Sequence, residues 1–448
     1  MIRCVLVDGF KTLSKFKMEL RPGLDILVGP NGSGKTNIIS FFEFLGFLQD
    51  MNVADAISSA GGAGSIFKKV AENTYQAGIF ANIVGSIRLG SKNYLYYDYL
   101  FDIRLQESGE GISYHRQRLS LKHRTVASIG QHKLGSYDLD IERSIDDDGN
   151  VATEVFACNT AKIKLNFPFR TKAGKGTIRD RIIQSLDMYV SPDDSIVSAL
   201  RVIARPYANV MRDVRGGNVY NIEPSKAKVP DDSAKKPGVA RDGSGLYSTL
   251  NAMQKGSAIN REQALSQLRL LPQKRLDIGS ATLSDVVEYV QLANDSIAGL
   301  EIVNNPFDRQ LQIKVTISDS DDNDDPPVLP LSAMSDGTVK WIALITIILT
   351  NPTMFSVEEP ENYLHPLMQT EIVSIMRSTL REERFILMST HSETLLNSMK
   401  PDEIVVVSFE DGKTTAKRVS NADDLDSEIR NTGFGLGYYY IAGSFDHA

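Results

Sequence analysis

Two hydrophobic rhythms alternate along the chain, and their order predicts most of its elements. "GLDILVG" (23–29) is a continuous apolar run that fits a buried strand, and "IISFFEFLGFLQ" (38–49) returns to apolar residues at helical spacing. Period-two alternation then takes over. The segments 93–106, 111–121 and 152–159 read as antiparallel strands with turn signals between them. Helical spacing recurs at 176–191, 195–214, 261–271 and 283–297, and 309–319 reads as a strand. Toward the C-terminus, 354–357 and 385–388 are short buried-strand runs. "WIALITIIL" (341–349) belongs to a helix with Trp341, Leu344, Ile345 and Ile348 on its apolar face, and 401–420 reads as a closing hairpin. Residues 223–245, rich in Lys, Asp, Pro and Gly, are expected to form a mobile loop. No heptad run or internal repeat is present, so no extended coiled coil is expected.

The junction between the first buried strand and the first helix carries chemistry. "GPNGSGKTN" spans Gly29, Pro30, Asn31, Gly32, Ser33, Gly34, Lys35, Thr36 and Asn37, and fits the phosphate-loop pattern in its strand–loop–helix context. Glycines let successive backbone N–H groups face one concavity, which suits an oligophosphate. Lys35 supplies a point charge for the β- and γ-phosphates, the Thr36 hydroxyl is a hard ligand for Mg²⁺, and the helix aims its N-terminal dipole at the same place. These residues predict a nucleotide site.

Hydrolysis needs more groups, and the sequence offers them far downstream. The run at 354–357 ends in Glu358-Glu359-Pro360, two carboxylates at the carboxyl end of a strand, where open α/β sheets bind ligands. Glu358 is the metal-side candidate, directly or through a water, and Glu359 is the candidate that polarises the attacking water. A solvated acidic turn is the plain alternative. His391 follows the next strand beside Ser389 and Thr390, and reads either as a structural histidine or as a γ-phosphate sensor. Ser335, Asp336 and Gly337 open the 341–349 helix, either as an ordinary N-cap or as a second set of anion donors that serves a partner subunit.

Taken together, "GPNGSGKTN", "LSAMSDGT", "SVEEPENYLHP" and "MSTHSE" resemble the ABC-type ATPase heads of the RecF/SMC/OLD-like group, commonly named AAA ATPases. The lead through residue 37 is similar to that group throughout, and "RDGSGLYSTLNAMQ" (241–254) resembles its internal segment. The resemblance implies an α/β fold, an ABC/SMC-type P-loop head with a mixed sheet flanked by helices, interrupted by a large α+β insertion. By residue, it implies Walker A at 29–36 with Lys35, the Walker B end at Glu358, a catalytic glutamate at Glu359 and the signature at Ser335–Gly337 acting across a dimer. The D-loop falls at 361–365 and the switch histidine at His391. Glu358 stands where aspartate is usual, and the signature is Ser-Asp-Gly rather than Ser-Gly-Gly.

The expected division is a first lobe at 1–135, an insertion at 136–300 and a second lobe at 301–448. The resemblance implies ATP and Mg²⁺ as cofactors, and self-association through the ATP sites as a homodimer or higher oligomer. Stand-alone heads of this kind are similar to ATPase components of bacterial anti-phage systems (PARIS- or Septu-like), where a separate effector such as a nuclease is the partner. No Toprim nuclease is expected after His391. The alternative is a RecF-like repair ATPase that clamps DNA. A transporter subunit and a nucleotide-bound scaffold with slow turnover are further classes.

Charge and composition adjust this picture modestly. A net charge of −7 gives no global attraction to DNA or anionic lipid. The basic segment 162–181 reads as a solvated strand and loop or as a contact for nucleic acid or an acidic partner. "DSDDNDDPP" (319–327) lacks the glycine and terminal glutamate of a calcium loop and reads as a hairpin tip. Cys4 and Cys158 stand apart without zinc spacing, which favours a reducing compartment. With neither a signal-peptide pattern nor a membrane-length apolar run, a cytoplasmic protein without membrane contact is expected.

Overall fold

A computed structural model of the chain describes residues 1–71, 74–90, 93–105, 111–124, 136–146, 148–167, 176–255, 281–305, 307–318, 326–351, 354–380, 384–420 and 422–443. The α/β class expected from the sequence holds. The chain forms two compact units that interleave along the sequence. One comprises Met1–Pro22, Gly29–Gly217 and Val407–Lys417; the other comprises Gly23–Val28, Asn218–Val406 and Arg418–Ala448.

The first unit is built on a seven-stranded antiparallel sheet. Its order is Val151–Cys158, Leu139–Ile145, Ile112–Arg124, Tyr94–Leu105, Gly78–Arg88, Ile2–Asp8, Phe16–Glu19. The predicted alternation is visible in Tyr94–Leu105, where Leu95, Tyr97, Tyr99, Phe101 and Ile103 are buried and their neighbours face outward. The helix Lys35–Asp50 contributes Phe41 and Phe44, which pack against Phe10 at centroid distances of 5.4 and 5.5 Å. The helix predicted at 176–191 is Ile178–Tyr189, started by a capping box between Thr177 and Asp180. The segment 195–214 departs from its prediction, because helix Ala199–Ile203 stops at Ala204 and Asn209–Val214 starts anew. Pro206 explains the break: it lacks an N–H, and its ring would strike the carbonyl four residues back.

The second unit holds a parallel sheet in the order Asn218–Tyr220, Phe355–Glu358, Phe385–Ser389, Gly23–Val28 and the first three residues, Ile404 to Val406, of strand Ile404–Glu410. Parallel strands covered on both faces should be apolar throughout, and Phe385–Ser389 is buried at every position. Asp25 is one buried polar exception, paired with Arg418; Ser356, Glu358 and Ser389 are others. Register places Glu358 beside Ser389 and Ser389 beside Leu27, so three strands end at one edge. The predicted helix at 341–349 is part of Asp336–Thr350 and is buried nearly all round rather than on one face. The predicted strand at 309–319 is Gln310–Ile317, antiparallel to Ile297–Asn305, and the helix at 283–297 is Leu283–Gln291. The predicted helix at 261–271 lies outside the described residues, as do 168–175 of the basic segment and 319–325 of the acidic tip.

The closing hairpin forms between neighbouring strands Ile404–Glu410 and Lys413–Arg418. Asp411 and Gly412 turn it with φ of 50° and 73°, as a type I′ turn requires. Among the described residues no helix is long and apolar enough to cross a membrane.

Candidate functional site

The glycine-rich loop lies in the first unit, between the end of Gly23–Val28 and the helix Lys35–Asp50. Gly34 is the N-cap of that helix with φ 104°, and a Cβ there would fall 2.0 Å from Thr414 Oγ1. Gly29 has no room either, since a Cβ would lie 2.1 Å from the Val407 carbonyl. Gly32, at φ 80°, faces open space and is required by conformation alone. The loop is pinned from the hairpin: Thr414 Oγ1 donates to the Ser33 carbonyl at 3.1 Å and lies 2.6 Å from the Thr12 hydroxyl. Asn37 donates to that Thr12 hydroxyl at 2.8 Å.

Lys35 is buried, and its Nζ donates to the Gly29 and Pro30 carbonyls at 2.8 and 3.1 Å. No side chain caps the helix, so its first-turn N–H groups have no side-chain acceptor at the cap. Ser33 Oγ is buried without a hydrogen-bond partner. Pro30, Asn31 and Thr36 are exposed. An uncapped helix start, a preformed ammonium and an orphaned hydroxyl in a loop too tight for Cβ atoms fit a polyphosphate.

The acidic candidates lie in the second unit at the carboxyl edge of the parallel sheet. Glu358 is buried, and Arg241 Nη2 donates to its Oε1 at 2.6 Å. Glu359 follows with φ 43°, a left-handed conformation that costs a non-glycine residue about 1–3 kcal/mol. Its N–H donates to the Ser389 carbonyl at 3.0 Å, and its own carbonyl accepts from Lys340 Nζ at 3.1 Å. Asn362 Nδ2 donates to the Glu359 carboxylate at 2.9 Å. Glu361 crosses to the next strand end, accepting from Thr390 Oγ1 and the His391 N–H, both at 2.8 Å. The His391 side chain is exposed.

The Ser335–Gly337 turn joins the same cluster. Ser335 Oγ accepts from the Thr338 N–H at 3.2 Å, so the predicted N-cap is present. A Ser335→Ala chain is expected to lose about 1 kcal/mol of unfolding free energy, read by urea denaturation. Gly337 packs so closely on the 359–363 turn that a Cβ would lie 2.6 Å from the Tyr363 carbonyl. Asp336 is paired with Lys228 at 2.6 Å.

Lys340 is a site residue that sequence reading missed, since a lysine one turn into an apolar helix reads as a solvated position. Burial pushes its ammonium down to about 8, while Glu361 and Glu359 act in the opposite direction. Below pH 8 folding carries the full penalty of this buried charge. Between about 8 and the ordinary 10.5 the folded chain gives up the proton while the unfolded chain keeps it, so this group adds stability as pH rises. The buried Cys4 thiol, pushed up to about 11, works against this rise in both chains, so the native chain should gain on the order of 1–3 kcal/mol over Lys340→Met between pH 8 and 10.5, read from their urea midpoints.

Arg241 was also missed as a site residue, because 223–245 reads as loop. The segment is tied down: buried Asp231 accepts from the Ser248 N–H at 3.0 Å and pairs with Lys235 at 2.6 Å. Each unit carries a hard-oxygen group whose chemistry suits Mg²⁺: Thr36 an exposed hydroxyl in the first, Glu358 a carboxylate in the second. Among the described residues no cluster of three His, Cys, Asp or Glu groups forms a dedicated metal cage.

Solved structures similar to this chain include heads of SMC proteins. One is the SMC head bound to the C-terminal winged-helix domain of ScpA, 15% identical, with 94% of this chain and 99% of that chain covered and a TM-score of 0.45. The SMC head domain from Thermotoga maritima is 12% identical over 94% and 99% of the two chains, TM-score 0.38. The Smc head with an extended coiled coil, bound to the C-terminal domain of ScpA derived from Pyrococcus furiosus, is 14% identical over 96% and 99%, TM-score 0.40. No curated protein matches the chain. Residues 232–397 match the family model described as "AAA domain, putative AbiEii toxin, Type IV TA system".

Proposed function

We propose that the chain is a Mg²⁺-dependent ATP-hydrolysing switch that pairs head to head through its nucleotide sites and controls a separate effector, in bacterial anti-phage defence. The observation that carries the ATPase reading is the glycine-limited loop holding Lys35 Nζ above the Gly29 and Pro30 carbonyls. The AAA-domain match over 232–397 supports it. In this reading the 29–37 loop and Lys35 bind the phosphates, and Thr36 and Glu358 hold Mg²⁺, which supplies charge neutralisation at the phosphate oxygens when bound. Glu359 orients the attacking water, His391 senses the γ-phosphate, and Ser335, Asp336 and Gly337 serve the nucleotide of a second copy. The pairing and the effector rest on the motif order in the sequence.

The test is the Glu359→Gln chain, purified in Mg²⁺ and ATP and sized against the same chain without nucleotide. A nucleotide-dependent doubling of mass that retains a small protein supports the switch. A monomer in both conditions sinks the head-to-head pairing, and retained nuclease-sensitive DNA with no protein turns the reading toward a DNA clamp.

A further inference from the structure

The carboxylate at Glu358 already has a cation. Arg241 Nη2 sits 2.6 Å from its Oε1, and the Glu358 side chain is 7% exposed. A buried carboxylate needs a charge partner, and this one is supplied from a segment far away in sequence.

Arg241 is presented by a rigid turn. The Asn221 N–H donates to its carbonyl at 2.8 Å, Ala240 N–H donates to the Ser244 carbonyl at 2.7 Å, and Asp242 Oδ1 accepts from the Ser244 N–H at 3.0 Å. Gly243 and Gly245, at φ 93° and 87°, close the turn, and a Cβ on Gly245 would lie 2.1 Å from the Gly238 carbonyl. The turn fixes where the Arg241 side chain starts, and its half-exposed guanidinium reaches from there to the buried carboxylate. The longer arm of glutamate, where the family pattern has aspartate, brings the carboxylate to this arginine.

We infer that Arg241 is a positioning residue that competes with Mg²⁺ for Glu358. Without the cation, Arg241 balances the buried carboxylate; when Mg²⁺ is held there, Glu358 exchanges one positive partner for the other. This rests on the reading of Glu358 as a metal-side group, and it makes the 223–245 segment responsive to the cation. Its consequence is a raised Mg²⁺ requirement.

The full chain as wild type, Arg241→Gln and Arg241→Lys would be titrated with MgCl₂ at fixed fluorescent ATP analogue, with a parallel series in EDTA. Thermal unfolding with MgCl₂ alone gives a readout that needs no nucleotide. Arg241→Gln should reach half-maximal Mg²⁺ response at about tenfold lower concentration, with analogue affinity in EDTA unchanged. It should also melt earlier in EDTA and recover in MgCl₂ by more than wild type does. Arg241→Lys, which keeps the charge and folds more safely, should restore most of the wild-type requirement. Adding Glu358→Gln to Arg241→Gln should abolish the MgCl₂ recovery. An unchanged Mg²⁺ midpoint in folded Arg241→Gln, or recovery that survives Glu358→Gln, overturns the competition. Lost analogue binding in EDTA also overturns it, by making Arg241 a phosphate ligand. A chain that binds no nucleotide but shows the MgCl₂-only pattern would refute the ATPase and leave the competition standing.

Discussion

Replacing Glu359 with Gln is expected to leave ATP bound and to lower turnover by on the order of a hundredfold or more. The substitution is nearly isosteric, so it removes charge and basicity while sparing the geometry that holds the residue. That geometry is mostly backbone: the left-handed φ of 43°, the N–H to the Ser389 carbonyl and the carbonyl accepting from Lys340 do not depend on the carboxylate. Among the described residues, the side-chain hydrogen bond is from Asn362, which an amide oxygen can still accept, and the carboxylate's charge acts on Lys340. A drop in phosphate release with retained nucleotide therefore reports the missing base rather than a collapsed turn. Glu359→Ala is a poorer probe because it deletes the Asn362 acceptor as well. If Glu359→Gln hydrolyses ATP at the native rate, Glu359 leaves the mechanism. A fall in binding instead would assign it to the ground state rather than to the water.

The strained turn also shows what the sequence could and could not reveal. The glycine-rich loop was legible because each residue there answers a local demand: φ at Gly32, φ and space at Gly34, charge at Lys35. The buried parallel strands were legible as apolar runs for the same reason, and Ser335 as an N-cap. Arg241 and Lys228 were not, because each acts through a partner distant in sequence. Arg241 meets Glu358 across 117 positions and Lys228 meets Asp336 across 108, which no periodicity encodes. Lys340 was hidden differently: its helix is buried nearly all round, so a lysine in it becomes a core residue only once the fold is known. The break at 204 had a visible signal in Pro206, and apolar spacing outweighed it.

Lys35→Ala is expected to weaken ATP binding by on the order of a hundredfold or more. A hydrogen bond to a charged group contributes about 1.5–3 kcal/mol, and one ammonium can serve two phosphates. Folding should respond less than binding does, because the hydrogen bonds described for Lys35 Nζ are to the Gly29 and Pro30 backbone carbonyls rather than to the core. Thermal midpoints within a few degrees of native, beside isothermal titration with ATP, separate the two effects. The glycines provide an internal comparison. Gly32→Ala adds a methyl group to open space and should carry only the left-handed penalty, about 1 kcal/mol. Gly34→Ala adds the same penalty to a 2.0 Å approach to Thr414, so the loop, the hairpin or both must move, and both affinity and stability should fall further than in Gly32→Ala. Equal effects at the two glycines would mean that the Thr414 contact does not shape the loop. Native affinity in Lys35→Ala would remove the loop as the nucleotide site.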